Sequence, residues 1–235
     1  PGKVKFCKFN DVSHLKKLVN KKTIAIIIEF IQGDGGINIC SKTFAKAIKD
    51  ICKNKKILLI GDEIQGGIGR TGKIFAYKHY GVNPDIITSA KGLGSGIPIG
   101  ATIVKKYISK IISAGFHGST FGGGMLQTRV SYNVMKSINT KAFLNKVQIN
   151  GKFLSKLLKK IHNDHKDKIV DTRCLGLMAG IEFKTNEIAS KTYTKMANNG
   201  LITTLIQGNI IRITPPLIIN KKELNNGLDI ISKSL

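Results

Sequence analysis

The chain has 235 residues and no long apolar run; the longest, Ile24–Ile28, stops at Glu29. A membrane-spanning helix needs about 20 consecutive apolar residues, so no span is expected. No secretory or transit pattern opens the chain, and a cytoplasmic location is expected. Residue 1 is proline rather than methionine, so a processed chain or a piece of a longer one is expected. Cysteine is sparse: Cys7, Cys40, Cys52 and Cys174 are scattered. That spacing argues against a disulfide framework and against a metal site, and predicts reduced thiols. Acidic residues number 14 against 38 of lysine and arginine, a formal net charge of +24. Arginine occurs only as Arg70, Arg129, Arg173 and Arg212, and the remaining positive charge is lysine spread along the whole chain. Nucleic-acid modules gather basic residues on one face. The even lysine, with heavy use of isoleucine and asparagine, fits a codon bias toward A and T better. No specific nucleic-acid partner is expected, only salt-sensitive attraction to acidic surfaces.

Apolar runs and helical patterns alternate over the first 140 residues. Asp11 caps a short helix with Leu15, Leu18 and Val19 inward. Thr23–Phe30 is β-branched and predicts a buried parallel strand. Ser41 opens a helix through about Lys53, with Phe44, Ala45, Ile48 and Cys52 at helical spacing. Strands are expected at Ile57–Ile60, Asp85–Thr88 and Ile99–Val104, then a basic helix near Lys105–Ile112 and another over Met125–Ser137. This alternation predicts an α/β fold with a mostly parallel sheet. Lys141–Ile161 is amphipathic, with Phe143, Leu144, Val147, Phe153, Leu157 and Leu158 inward. The texture then changes to a small α+β unit: strands at Ile169–Arg173, Met178–Phe183, Leu201–Leu205 and Ile210–Ile213, helices near Glu187–Asn198 and Lys221–Lys233. The expected division is residues 1–140 and 141–235.

The stretch from Ile57 to Gly100 carries the chemistry. One apolar run ends in Gly61-Asp62, with Gln65 three positions on; the next ends in Ser89-Ala90-Lys91 and a glycine-rich turn. Ligands of open α/β sheets bind at the carboxyl ends of strands. An amine and a carboxylate placed there suit a ring cofactor: Lys91 as the amine that forms an imine, Asp62 as partner to a protonated ring nitrogen. Gly115–Gly124 adds a loop with Ser119, Thr120 and many backbone N–H groups, a donor set for phosphate.

Six motifs together resemble the second half of a class III, fold-type I, pyridoxal-phosphate (PLP) aminotransferase. They are Glu29-Phe-Ile-Gln-Gly-Asp-Gly-Gly36, Gly61-Asp-Glu-Ile-Gln65, Gly69-Arg-Thr-Gly72, Thr88-Ser-Ala-Lys-Gly-Leu-Gly94, His117-Gly-Ser-Thr-Phe-Gly-Gly123 and Ile211-Arg-Ile-Thr-Pro-Pro-Leu217. They stand in the family's order and cover nearly the whole chain. Within the family the resemblance is nearest to acetylornithine/succinyldiaminopimelate aminotransferases, with ornithine aminotransferase next.

The resemblance implies a large mostly parallel-sheet domain, of which this chain holds the C-terminal part, plus a small C-terminal domain. It implies PLP as cofactor and a homodimer. Transamination of N-acetylornithine with 2-oxoglutarate is the expected reaction, ornithine δ-amino transfer the alternative. A non-catalytic truncated remnant with a basic surface is the alternative of another class. Lys91 is expected to hold the cofactor and shuttle the proton, Asp62 to keep the ring nitrogen protonated, and Gln65 to bond the phenolic oxygen. Thr120, with Ser119 beside it, is expected to reach the phosphate of the neighbouring subunit. Arg212 is expected to alternate between an acid of the Gln32–Gly36 loop and a substrate carboxylate; Glu29 is expected to support the pocket. Arg70, His79 and His117 are read as structural. Two departures stand out: the gating acid is Asp34, one methylene shorter than the family's Glu, and Gly124-Met125-Leu126-Gln127 replaces Asn-Pro-Leu-Ala. The family's upstream phosphate loop, stacking aromatic and further arginine have no counterpart here.

Overall fold

Side chains that alternate with period 2 or 3.6 dictate short strands and amphipathic helices. The computed structural model, which describes residues 3–235, arranges them in two units. The first holds the described residues through Phe30, with Cys40–Ile68 and Ala76–Lys136. It opens with α1 (Val12–Leu18), whose N-terminus is capped by Asp11 accepting from the His14 N–H and whose Leu15 is buried. α2 (Lys42–Lys55) is capped by Ser41 and buries Phe44, Ala45, Ile48 and Cys52, the four residues its periodicity selects.

The sheet of this unit runs β1 (Ala25–Ile28), β2 (Leu58–Asp62), β3 (Ile86–Ser89), β4 (Ala101–Val104), in that spatial order. The first three are parallel, and β4 lies antiparallel to β3. Away from the strands' carboxyl ends, Asp85 stitches the sheet: its carboxylate accepts the Leu59 N–H at 2.9 Å and Lys105 Nζ at 2.8 Å. Burial alone would raise its pKa, but these bonds outweigh it and leave the carboxyl below its ordinary value. β1 departs from the buried strand its sequence predicts. Ile28 and Phe30 are buried, yet Ile24 and Ile27 are exposed, because β1 is the end strand of the sheet. The basic segment forms only the short α3 (Lys106–Ser109), and α4 (Met125–Ile138) follows an exposed loop.

The second unit comprises Ile31–Ile39, Gly69–Phe75 and Ser137–Leu235. The sequence places everything before residue 140 in the first unit; contacts instead group these two short loops with the C-terminal part. The 24-residue α5 (Lys141–Asp164) buries Val147, Gly151, Leu154, Leu158 and Ile161, an unbroken helical stripe. Leu154 and Ile161 are absent from the predicted face, while Phe153 and Leu157 lie half-buried beside it. β5 (Ile169–Leu175), β6 (Met178–Phe183), β7 (Thr204–Ile206) and β8 (Ile210–Ile213) form an antiparallel sheet ordered β5-β6-β8-β7. α6 (Asn186–Asn198) and α7 (Lys221–Ser234) complete the unit, with Ala189, Met196, Leu224 and Leu228 joining Ile181, Phe183 and Ile211 in its core.

The β5–β6 turn contains Gly176 at φ +61°, where a Cβ would stand 2.4 Å from the Thr71 carbonyl carbon. Only glycine tolerates both that backbone and that approach. None of the described helices is long and apolar enough to cross a membrane. All four cysteines are free; burial pushes the thiols of Cys40 and Cys174 up to about 12 and that of Cys52 to about 11.

Candidate active site

Parallel pairing sets the first cluster. Asp62 is the last residue of β2 and stands opposite Thr88 of β3 in the ladder. The Thr88 hydroxyl donates to Asp62 Oδ1 at 3.2 Å, and the Ile64 N–H donates to the same oxygen at 3.0 Å. These two bonds fix a half-buried carboxylate at the carboxyl end of the sheet. Lys91 follows β3 by two residues and opens a tight helical turn, Lys91–Leu93, whose Leu93 is buried. Its backbone is left-handed, φ +47°, a conformation that a residue with a Cβ adopts only when its surroundings enforce it. Buried Ile68, also left-handed at φ +51°, packs against the next residue, Gly92. The lysine side chain is exposed.

Glu63 is a buried neighbour of Asp62 that the sequence reading leaves unremarked. It is fully buried, and its carboxylate oxygens accept the N–H groups of Ala76 and Tyr77 at 2.7 and 2.9 Å. Its own N–H donates to the Thr88 carbonyl at 2.9 Å. Burial raises its pKa to about 7 against those stabilising bonds, with the Asp62 charge adding to the rise. The Asp62-Glu63 step therefore has one acid facing the sheet's mouth and one tying two loops together. Of the other expected residues in this unit, Gln65 sits in the turn after β2, Glu29 directly follows β1, and both are half-buried. Ser119 and Thr120 lie on the exposed loop before α4.

The second cluster belongs to the other unit. Arg212, on β8, makes an ion pair with Asp34 of the 31–39 loop, Nη1 to Oδ1 at 2.5 Å. Gln207 Nε2 donates to the Asp34 carbonyl at 2.7 Å. Arg70 holds carbonyl groups of the same unit, donating to Leu177 and Pro215 at 3.0 and 2.5 Å. Burial lowers its pKa to about 10, still leaving it charged at neutral pH. Thr88, Glu63 and Arg173 (the last pairing with Asp171 and Glu182) escape sequence reasoning because their partners are set by strand register and loop packing.

The residues present fit a ring cofactor with a basic nitrogen and an aldehyde. An acid and an amine stand on adjacent strand ends. Between them in sequence, Ser89 Oγ is buried and has no hydrogen-bond partner among the described residues, a polar atom left to a bound group.

The family model described as aminotransferase class-III matches residues 3–235. An acetylornithine aminotransferase of Methanocaldococcus jannaschii is 40% identical over 232 residues, covering 97% of this chain and 58% of that protein. Among solved structures, acetylornithine aminotransferase from Elizabethkingia anophelis matches with TM-score 0.90 and 32% identity, over 96% of this chain and 58% of that one. Ornithine aminotransferase from Plasmodium yoelii matches with TM-score 0.89 and 35% identity, over 96% and 61%. The chain thus spans about three-fifths of the length of the relatives it matches. It belongs to the class III aminotransferases, which are PLP-dependent and share fold type I.

Proposed function

We propose that the protein to which this chain belongs transfers the δ-amino group of N-acetylornithine to 2-oxoglutarate, a step of arginine biosynthesis. The observation that carries the reading is the placement of Asp62 and Lys91 at the carboxyl ends of paired strands, with Thr88 fixing the acid. Bound PLP supplies an electron-withdrawing ring that stabilises negative charge on the substrate carbon. Asp62 holds the proton on the ring nitrogen. Lys91 would hold the cofactor through its amine and, once the substrate's amino group has taken that place, the freed amine would carry a proton to and from the substrate carbon. Gln65 would donate to the ring's phenolic oxygen, and Glu29 would support the pocket. Arg212 takes a substrate carboxylate by a two-pronged contact when Asp34 lets go of it.

Ser119 and Thr120 are read as phosphate ligands for a second copy of the chain. The exposed loop that bears them, flanked by Phe116, Phe121, Met125 and Leu126, all exposed, supports a homodimer, since such apolar groups are normally covered. A reducing cytoplasmic setting fits the four free thiols. The resemblance of the solved ornithine aminotransferase favours a second reading, in which ornithine itself is the donor. Steady-state kinetics with N-acetylornithine and ornithine separates the two. At least a tenfold higher kcat/KM for the acetylated donor is expected; a preference for ornithine overturns the first reading in favour of the second.

A further inference from the structure

Arg212 is not the only arginine on its face of the small sheet. In the β5-β6-β8 ladder Arg173 stands opposite Gly180, and Gly180 opposite Arg212. Residues directly opposite in an antiparallel sheet share a face, so two arginines flank a position without a side chain. The 31–39 loop lies over that row. A Cβ on Gly180 would meet Ile37 Cγ1 at 3.0 Å, so the gap is filled by Ile37. Ile37 is fully buried and left-handed at φ +57°, an unusual state for a β-branched residue. On one side of this plug Asp34 meets Arg212; on the other, Asn38 Oδ1 accepts from Arg173 Nη1 at 2.6 Å.

The two sides are built differently. Arg173 is 16% exposed and also pairs with Asp171, 3.2 Å from Nε, and with Glu182. Asn38 closes the loop on itself: its Nδ2 donates to Gln32 Oε1 at 3.0 Å and to the Gly35 carbonyl at 2.7 Å, while its carbonyl accepts the Gln32 N–H at 3.0 Å. Asp34, by contrast, is a side chain 72% exposed on an arginine 17% exposed. One end of the loop is a half-buried, cross-linked anchor; at the other, Gln207 holds the Asp34 backbone carbonyl while the Asp34 side chain makes a solvated ion pair.

We propose that Arg173 and Asn38 are positioning residues that hold the 31–39 loop fixed, so that Asp34 releases Arg212 by moving its side chain rather than by lifting the loop. The anchor thereby sets how strongly Asp34 competes with a substrate carboxylate for Arg212. This deepens the reading of Arg212 given above and rests on it. Loosening the anchor weakens Asp34's hold. Dicarboxylic 2-oxo acids then bind Arg212 more easily, whereas a donor whose reacting amine is remote from its carboxylate loses the closed arrangement.

The test uses the full-length, cofactor-loaded enzyme with Asn38→Ala, which removes the anchor without stranding a charge. Asn38→Asp, which keeps an acceptor for Arg173 but gives up the Nδ2 donor to Gln32 and Gly35, isolates the Arg173 link from the loop's own closure. The two half-reactions are followed separately. In Asn38→Ala, KM for 2-oxoglutarate is expected to fall, and kcat/KM for the amino donor to drop, changing their ratio about tenfold, the equivalent of one charge-assisted hydrogen bond. Asn38→Asp is expected to recover the part of that ratio that the Arg173 link carries. Amide hydrogen exchange on the same proteins should show faster exchange at Gln32 in Asn38→Ala than in wild type, with Asn38→Asp between the two. Equal loss in both half-reactions, or unchanged exchange at Gln32, overturns the anchor. The Arg212→Met variant tests the underlying reading by itself: if its KM for 2-oxoglutarate stays at the wild-type value, Arg212 is not the carboxylate receptor, whatever the exchange data say of the anchor.

Discussion

At the scale of residues, two acids one position apart do different work because their surroundings differ. Asp62 is half-buried and held by a hydroxyl and an N–H. Glu63 is sealed in, with its pKa raised to about 7. Below pH 4.5, its ordinary value, folded and unfolded chains both carry the proton. Between there and about 7 only the folded chain does, so Glu63 favours folding at low pH and that contribution is lost as pH rises through its folded pKa. Urea midpoints taken from pH 4.5 to 8 are expected to fall more steeply with rising pH in the wild type than in Glu63→Gln; parallel slopes would contradict the assignment. Asp34 is the second residue-scale test. Asp34→Glu adds a methylene and is expected to hold Arg212 more tightly, raising KM for 2-oxoglutarate about fivefold, roughly 1 kcal/mol. Half-reaction rates unchanged by the substitution would sink the gating role. Lys91 and Asp62 are legible in the sequence because each follows an apolar run and sits beside glycine. Thr88, Glu63 and the Arg173–Asn38 contact are not, because strand register and a 135-position separation choose those partners.

At the scale of elements, local chemistry is a good guide where an element closes its own ends. Ser41, Thr140, Thr185 and Asn220 each cap a helix by accepting the N–H of its third residue, and Asn220 forms a reciprocal box with Glu223. Ser41→Ala is expected to cost about 1 kcal/mol in urea unfolding. α2 matches its predicted inner face residue for residue, since one amphipathic stripe meets one sheet. α5 is less legible: its lysines alternate with apolar residues on two neighbouring stripes, and only packing selects Leu154 and Ile161 over Phe153 and Leu157. Leu154→Ala is expected to cost about 2–5 kcal/mol, the range for a buried leucine, while Leu157→Ala costs distinctly less. Equal losses would mean that the buried stripe is misplaced. The antiparallel sense of β4 has no sequence signature, because a strand's direction follows from its connection and not from its residues.

At the scale of the whole molecule, charge and apolar exposure dominate behaviour in solution. A net charge of +24 carried mainly by dispersed lysine predicts attraction to any polyanion, falling with salt and indifferent to sequence. Titration with two unrelated duplexes at two salt concentrations is expected to give equal affinities that weaken together; a duplex preference would point to a built interface. The two exposed isoleucines at β1, Ile24 just before it and Ile27 within it, are visible in the sequence as part of one β-branched run, but whether such a run is covered depends on what lies next to it in space.

The central claim is that Lys91 is the amine that holds the cofactor at the mouth of this sheet. The direct measurement is borohydride reduction of the PLP-loaded full-length protein, followed by peptide mapping by mass. The account predicts one modified residue, Lys91, and no covalent label at all in Lys91→Ala. A label on another lysine, or undiminished labelling in Lys91→Ala, would contradict it.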